Sequence, residues 1–358
     1  MIIVKNPLVF TPSYIPQKLL FREKEYELLI NHLKVIKAGL TPSHLLLLGP
    51  PGTGKTVTVR KAIHDSGTKD LVIYTVCQST SFTTLISILE EITQVSVRGV
   101  SFGEAWKEFQ KRTNNKPLII ILDEIDRLIL PGKGEELLYY LSRRDLTSII
   151  AISNRGNIYE NIRDPRVRSS FIPRKIMFSE YNAEELAQII EQRIKEGLET
   201  EIEERVVKFI GALAARAGGD ARYAIDLLKK SIEIAIRMDE QTITIHTVES
   251  AKKEIDEDYI VQGILGLSEI EKTILLIIAK AKRITLSETY KLFVDISKNE
   301  ISMRRFSDHI DKLEMLGYIN VIRKGMGREK GVRFIIELSP NMNPELILKT
   351  LQENLDHL

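Results

Sequence analysis

The chain has 358 residues, of which 43% are hydrophobic and 28% charged, with a formal net charge of +2; at roughly 100–200 residues per domain this reads as a soluble globular chain of two or three domains. A near-neutral total excludes arguing nucleic-acid binding from net charge, so only local basic clusters can carry it. A lone cysteine, Cys77, excludes an internal disulfide and a cysteine-rich zinc module and fits a reducing, intracellular setting; no apolar run nears the ~20 residues a bilayer needs, so no membrane partner is expected.

The opening MIIVKNPLVFTP is broken by Lys5 and Pro7 and does not read as a signal peptide. The first half then alternates. HLLLLG (44–49), LVIYTVC (71–77), PLIIILD (117–123) and TSIIAIS (147–153) are short apolar runs, most of them rich in β-branched residues. Strands buried on both faces are expected there. Segments 82–93 and 101–113 carry apolar residues at helical spacing. Strands alternating with helices give an α/β fold with a parallel sheet.

The first run stops at GPPGTGKT (49–56), which satisfies G-x-x-x-x-G-K-[ST] between a strand and a helical segment. The loop Gly49, Pro50, Pro51, Gly52, Thr53 and Gly54, with Lys55, Thr56 and Val57 after it, would wrap the phosphates of ATP or ADP. The glycines let backbone N–H groups turn inward, and the next helix adds its positive end. Lys55 would reach the β- and γ-phosphates, and the Thr56 hydroxyl would complete a Mg²⁺ shell. Alone, the motif does not separate ATP from GTP.

The third run ends in acids, IIILDEID (119–126). Asp123 would hold Mg²⁺ through water, and Glu124 would orient or deprotonate the attacking water; capping of the next helix is the plainer use of the same pair. Asn154 ends the fourth run, as a turn residue or as a contact to the γ-phosphate or the water.

Near Pro173 the pattern changes, and from about 182 to 257 it is helical. AEELAQIIEQRIKEG ends at Gly197, ERVVKFIGALAARAGG ends at a double glycine, and Asp220 caps ARYAIDLLKKSIEIAIRM. A fourth helix opens at Thr244 or Thr247. This is a small helical lid, in which Arg222 either reaches the phosphates or is a surface arginine.

SEIEKTILLIIAKA, SETYKLFVDI and SMRRFSDHIDKLEMLG then read as three short helices, followed by alternating runs YINVIRK (318–324) and GVRFIIEL (331–338). That is the outline of a winged helix. Its third helix, starting near Ser302, carries Met303, Arg304, Arg305 and Ser307 on the turns where recognition helices meet the major groove. Ile310, Leu313 and Leu316 should face the core. Residues 323–333 hold Arg323, Lys324, Arg328, Lys330 and Arg333 against Glu329 alone, with Gly325, Gly327 and Gly331 to bend the tip. Phosphate contacts of this kind make DNA binding salt-sensitive; a solvated hairpin on a protein-binding winged helix would share the pattern.

Together these pieces resemble the AAA+ ATPases, and more narrowly the archaeal replication-initiator family related to the largest eukaryotic origin-recognition subunit and its helicase-loading relative. The resemblance is carried by FTPSYIPQKLLFREKEYELL (10–29), GPPGTGKTVTVRK, LDEID, DPRVRSSF (164–171), GGDARYAIDLL and RRFSDHIDKLEMLGYI, and runs from about residue 7 to about 340. It implies an AAA+ nucleotide-binding domain over 1–175, an all-helical lid over 176–258 and a winged-helix DNA-binding domain over 259–358. It implies Asn154 at the sensor-1 position and Arg222 at sensor 2. Arg166, with Arg168 as the nearby alternative, falls at the arginine finger, which acts on nucleotide held by a neighbouring subunit. Arg22, Tyr14 and Ile15 would flank the adenine. A second DNA element would lie around 94–106, where Arg98 and Lys107 are the basic residues; an ordinary helix–loop–helix is the other reading. The implied protein is a weak ATPase, cytoplasmic and nucleoid-associated. It would bind double-stranded origin DNA and help recruit the replicative helicase, with other initiator paralogues among its partners. The alternative is an ATP-gated transcription or plasmid regulator of the same architecture. No aromatic pore loop stands out, which counts against a translocating ring.

Overall fold

The computed structural model describes residues 2–114, 116–297, 301–325 and 332–355, with the side chains of 324–325, 332–333 and 353–355 outside the description. The chain divides into two units, Met1–Glu249 and Ser250–Leu358. The first unit runs α1 (Glu23–Lys37), β1 (Leu45–Leu48), α2 (Lys55–Ser66), β2 (Val72–Val76), α3 (Ser81–Thr93), α4 (Phe102–Thr113), β3 (Leu118–Asp123), α5 (Asp126–Ile129), α6 (Glu135–Ser142) and β4 (Thr147–Ser153). It continues with α7 (Pro165–Ser170), β5 (Arg174–Met177), α8 (Ala183–Gly197), α9 (Glu204–Arg216) and α10 (Ala221–Arg237).

Strand residues alternate between faces, and here both faces are covered. Leu45 and Leu47 join Ile119, Ile121, Ile150 and Ile152 in a core with Leu29 and Leu33 of α1 and Val59 and Ala62 of α2. Leu46, Leu48, Ile120, Leu122 and Ile149 join a second core with Leu85, Ile88, Phe109 and Leu137. This is why β1, β3 and β4 are buried along their whole length. The order is β2-β3-β4-β1-β5, all parallel. It sets the C-terminal ends of β3, β4 and β1 side by side, where ligands bind in open α/β sheets.

Two expectations need correction. The run 71–77 is an edge strand, with Val72, Tyr74 and Val76 not fully buried. The fifth strand, RKIM, was not anticipated: as the other edge it buries Ile176 alone, so it lacks an apolar run. It straddles the boundary placed at 175.

The lid helices are set by their caps. Asn182 and Glu185 form a reciprocal capping box on α8, and Asp220 accepts from the N–H groups of Arg222 and Tyr223 to start α10. The N-terminal segment is stitched to the end of α8. Val4 bridges Leu198, Lys5 N–H donates to Gly197 O at 2.9 Å, and Phe10 is buried beside Gly197.

Helix α11 (Ile245–Leu265), whose start is set by Thr244 and Thr247 bonding each other at 2.8 Å, contains the division at 249/250. The second unit continues with α12 (Glu269–Ala281), β6 (Arg283–Thr285), α13 (Leu286–Ser297), α14 (Met303–Met315), β7 (Ile319–Gly325), β8 (Val332–Leu338) and α15 (Pro344–Leu355). The sheet order β6-β8-β7 is antiparallel. Ile274, Ile278, Phe293, Phe306, Ile310, Leu313 and Ile336 form its core. The three expected helices and the hairpin are present; the three-residue β6 and helix α15 are additions. Leu316 is a correction. It is 47% exposed, because it is the C-cap of α14, where helical spacing no longer dictates direction.

Candidate functional site

The loop between β1 and α2 forms one wall of a cavity of about 530 Å³. Gly54, with φ of +91°, turns the chain into α2 without a side-chain cap. The first N–H groups of that helix, on Lys55, Thr56 and Val57, are donors with no intrahelical acceptor, aligned with the helix dipole. Lys55 Nζ donates to Gly49 O and Pro50 O, both at 2.7 Å. Burial drives its ammonium down to about 8, with Arg222 adding like-charge repulsion against the acids Asp123, Asp126 and Asp220.

Asp123 is buried at the end of β3. Its Oδ2 accepts from the Thr56 hydroxyl at 3.0 Å and from the Tyr74 hydroxyl at 2.5 Å, and its Oδ1 from the Glu124 N–H at 2.9 Å. Burial and Asp123 itself push the Tyr74 phenol up to about 12, so it remains a neutral donor. A hydroxyl and a carboxylate in contact are the hard oxygen set that Mg²⁺ takes. Glu124 has a left-handed backbone, φ +54°, and its carboxylate pairs with Arg127 at 2.6 Å.

Thr11–Leu20 supply part of a second wall, with Tyr14 and Ile15 among them; the lid supplies Ile189, Gln192, Arg193, Arg222, Ile225 and Asp226. Tyr14 donates to Glu196 at 2.8 Å, and the Arg193 guanidinium lies 4.7 Å over its ring. The lid also meets the loop directly. The Ala221 N–H donates to Gly52 O at 3.2 Å, and the Asp220 carboxylate packs against Gly52.

Gly52, Thr53, Gly54, Lys55, Thr56, Val57, Asp123, Glu124, Tyr14 and Arg222 therefore share one cavity, while Gly49, Pro50 and Pro51 are not part of its lining. Arg22 is elsewhere too. It is 5% exposed and donates to Thr53 O, Phe21 O and Ser179 O at 2.9, 2.8 and 2.6 Å, with Tyr181 stacked 3.9 Å below its guanidinium. Its donors go to backbone carbonyls, so it braces the loop from behind instead of facing a base. Asn154 is exposed at the end of β4; its N–H, with the Ser153 hydroxyl, is held by Asp126. Arg166 is exposed on α7, paired with Asp164 at 2.7 Å. Arg168 instead donates to Ile162 O and Glu160 O. Tyr74, Arg60 and Arg193 were missed by sequence reasoning; each looks there like an ordinary strand or helix residue.

In the second unit, α14 is capped by Ser302 and presents Met303, Arg304 and Arg305 to solvent, with Ser307 half-buried. Glu271 of α12, itself buried, accepts from His309 at 3.0 Å and from Lys312 at 2.8 Å, anchoring α14. Burial opposes its charge, yet Lys312, Ser268 and His309 together hold the carboxyl down at about 2. Arg323 is exposed on β7 beside Phe334. Lys324 and Arg333 pair in backbone register, with side chains outside the described residues, as Arg328 and Lys330 are altogether. Segment 94–106 comprises the loop after α3 and the first turn of α4, with Arg98 exposed on the loop, Lys107 exposed on α4 and Trp106 stacked on Phe109 at 5.1 Å. Among the described residues no helix is long and apolar enough to cross a membrane.

Comparison with known proteins matches three segments of the chain. Residues 39–159 match the AAA domain family, 187–253 the Cdc6 AAA+ ATPase-type lid domain, and 264–350 the CDC6 C terminal winged helix domain. An ORC1-type DNA replication protein of Methanothermobacter thermautotrophicus is 33% identical over 360 residues, covering 98% of each chain. ORC1-type DNA replication protein 1 of Sulfolobus acidocaldarius is 34% identical, over 96% of this chain and 91% of the other. The structure of the Aeropyrum pernix ORC1 protein in complex with DNA superposes with a TM-score of 0.81 at 31% identity, over 99% of this chain and 97% of that one.

Proposed function

The chain belongs to the family of ORC1-type DNA replication proteins, and on that premise we propose that it is an ATP-dependent initiator that binds double-stranded origin DNA and uses slow hydrolysis as a switch. The observation that carries the proposal is the docking of the lid cap on the phosphate loop: Ala221 N–H on Gly52 O, with Asp220 against Gly52. A nucleotide held by the loop would be read directly by the lid.

In this reading Lys55 and the N–H groups that open α2 hold the phosphates. Thr56 and Asp123 would hold Mg²⁺, which when bound neutralises charge on the phosphate oxygens. Glu124 leaves Arg127 to orient the water, Arg222 senses the γ-phosphate from the lid, and Asn154 does so from β4. Arg166 reaches a neighbouring subunit's nucleotide once copies assemble. Arg304, Arg305 and Ser307 face the duplex from α14, and Arg323, Lys324, Arg328, Lys330 and Arg333 contact its phosphates. The DNA in the Aeropyrum complex supports DNA binding here. Helicase recruitment follows from the family alone. The domains would be 1–175, 176–258 and 259–358.

Genome-wide footprinting tests the proposal. One or a few sites are expected; occupancy spread over many promoters would make the chain a transcription regulator.

A further inference from the structure

Tyr74 lies on β2, one strand away from Asp123. The parallel register sets Val76 beside Asp123 and Tyr74 beside Ile121, so the tyrosine starts two residues short of the carboxylate. Only a long side chain leaning along the strand covers that distance. Its hydroxyl arrives at Asp123 Oδ2 at 2.5 Å. The guanidinium of Arg60 on α2 lies over its ring, 5.1 Å from the ring centre. Both residues line the nucleotide cavity.

The donors around Asp123 divide unequally. Oδ1 takes the Glu124 N–H, a fixed backbone group. Oδ2 takes two hydroxyls, Thr56 and Tyr74. Thr56 sits in the loop and is the group whose oxygen would be called to a cation. Tyr74 cannot follow it, being anchored on a strand and under Arg60. We propose that Tyr74 is a positioning residue for the cation site: its hydroxyl keeps the Asp123 carboxylate oriented toward Mg²⁺ when the Thr56 hydroxyl turns away. A neutral hydroxyl suits this task. It fixes the carboxylate plane through one lone pair and, unlike an ammonium or guanidinium, does not repel the cation. Partners of this kind are worth about 10- to 100-fold in metal affinity. The inference rests on Thr56 and Asp123 being the Mg²⁺ pair.

The test uses the full chain as wild type, Tyr74→Phe, Asp123→Asn and the double variant. Binding of a fluorescent ADP is measured in EDTA and at rising Mg²⁺, and the readout is the Mg²⁺ midpoint within each variant, which cancels any general loss of folded protein. Tyr74→Phe keeps the ring beneath the Arg60 guanidinium and removes only the hydroxyl. It should bind ADP like wild type in EDTA and need about tenfold more Mg²⁺ for half the affinity gain. Asp123→Asn should lose most of that gain, and adding Tyr74→Phe should then change nothing further. A wild-type midpoint in Tyr74→Phe, with Asp123→Asn impaired, overturns the inference alone. So does a loss of ADP affinity in Tyr74→Phe that is equal with and without Mg²⁺, which would leave the tyrosine a packing residue. A wild-type midpoint in Asp123→Asn overturns the cation reading and the inference with it.

Discussion

The Asp220 carboxylate, cap of the lid helix α10, occupies the space that a side chain at Gly52 would need: a Cβ there would lie 1.7 Å from its Oδ1. The glycine also sits at φ +70°, where an alanine costs about 1–2 kcal/mol. Gly52→Ala should therefore do more than strain the loop. It should push the lid cap away and weaken nucleotide binding at least tenfold, read by calorimetry. An unchanged Kd would mean that the lid does not report on the loop.

Lys55→Ala removes the buried cation of the phosphate loop. A hydrogen bond to a charged group is worth about 1.5–3 kcal/mol, and Lys55 would make more than one, so nucleotide affinity should fall by roughly 100-fold or more. Wild-type affinity in a fluorescent-nucleotide titration would remove the site assignment.

Glu124→Gln is close in shape and keeps the same backbone. It should leave ATP binding intact and stop phosphate release, measured over hours because the wild-type rate is expected to be slow. Continued turnover would assign the water to another group.

Arg166 and Arg168 separate cleanly. Arg166 is exposed, paired with Asp164 and lying 5.2 Å over the Tyr139 ring; both contacts are at the surface, so Arg166→Ala should leave the melting temperature and single-copy ATP binding nearly unchanged. It should lower hydrolysis by the DNA-assembled protein about 10³-fold, the scale of arginine fingers supplied in trans. Arg168→Ala strips bonds from two backbone carbonyls and should lower the melting temperature instead. The reverse pattern would exchange their roles.

Glu271 gives the winged unit an acid sensitivity. Its carboxyl is held at about 2, below the ordinary 4.5, so its contribution is complete above pH 4.5 and is lost as pH falls toward 2. Glu271→Gln should cost about 1.5–3 kcal/mol at neutral pH, the scale of a hydrogen bond to a charged group, because the Lys312 left behind is half exposed. The gap to wild type should close on acidification, followed by hydrogen exchange of α14. A gap of constant size at pH 3 and 7 would show that charge is not the reason.

The nucleotide loop was legible because its chemistry is local. The glycines, Lys55 and Thr56 are neighbours in sequence, and Asp123 is marked by ending an apolar strand. The central strands were legible for the same reason. What escaped depends on partners far along the chain. Arg22 binds carbonyls 31 and 157 residues away, so its conversion from a base contact to a brace could not be read from its own neighbourhood. Tyr74 looks like one more β-former, and β5 like a charged linker, because an edge strand needs only one inward side chain. Leu316 obeyed helical spacing up to the point where the helix stopped.

The left-handed backbone at Glu124 places fold and chemistry in opposition. A side chain other than glycine, asparagine or aspartate is disfavoured there, at a cost of order 1 kcal/mol. In a library selected only for thermal resistance, Glu124→Gly and Glu124→Asn should rise in frequency, while selection for turnover should purge them. The position is thus one where the chain, left to drift, would gain stability by losing its proposed catalyst.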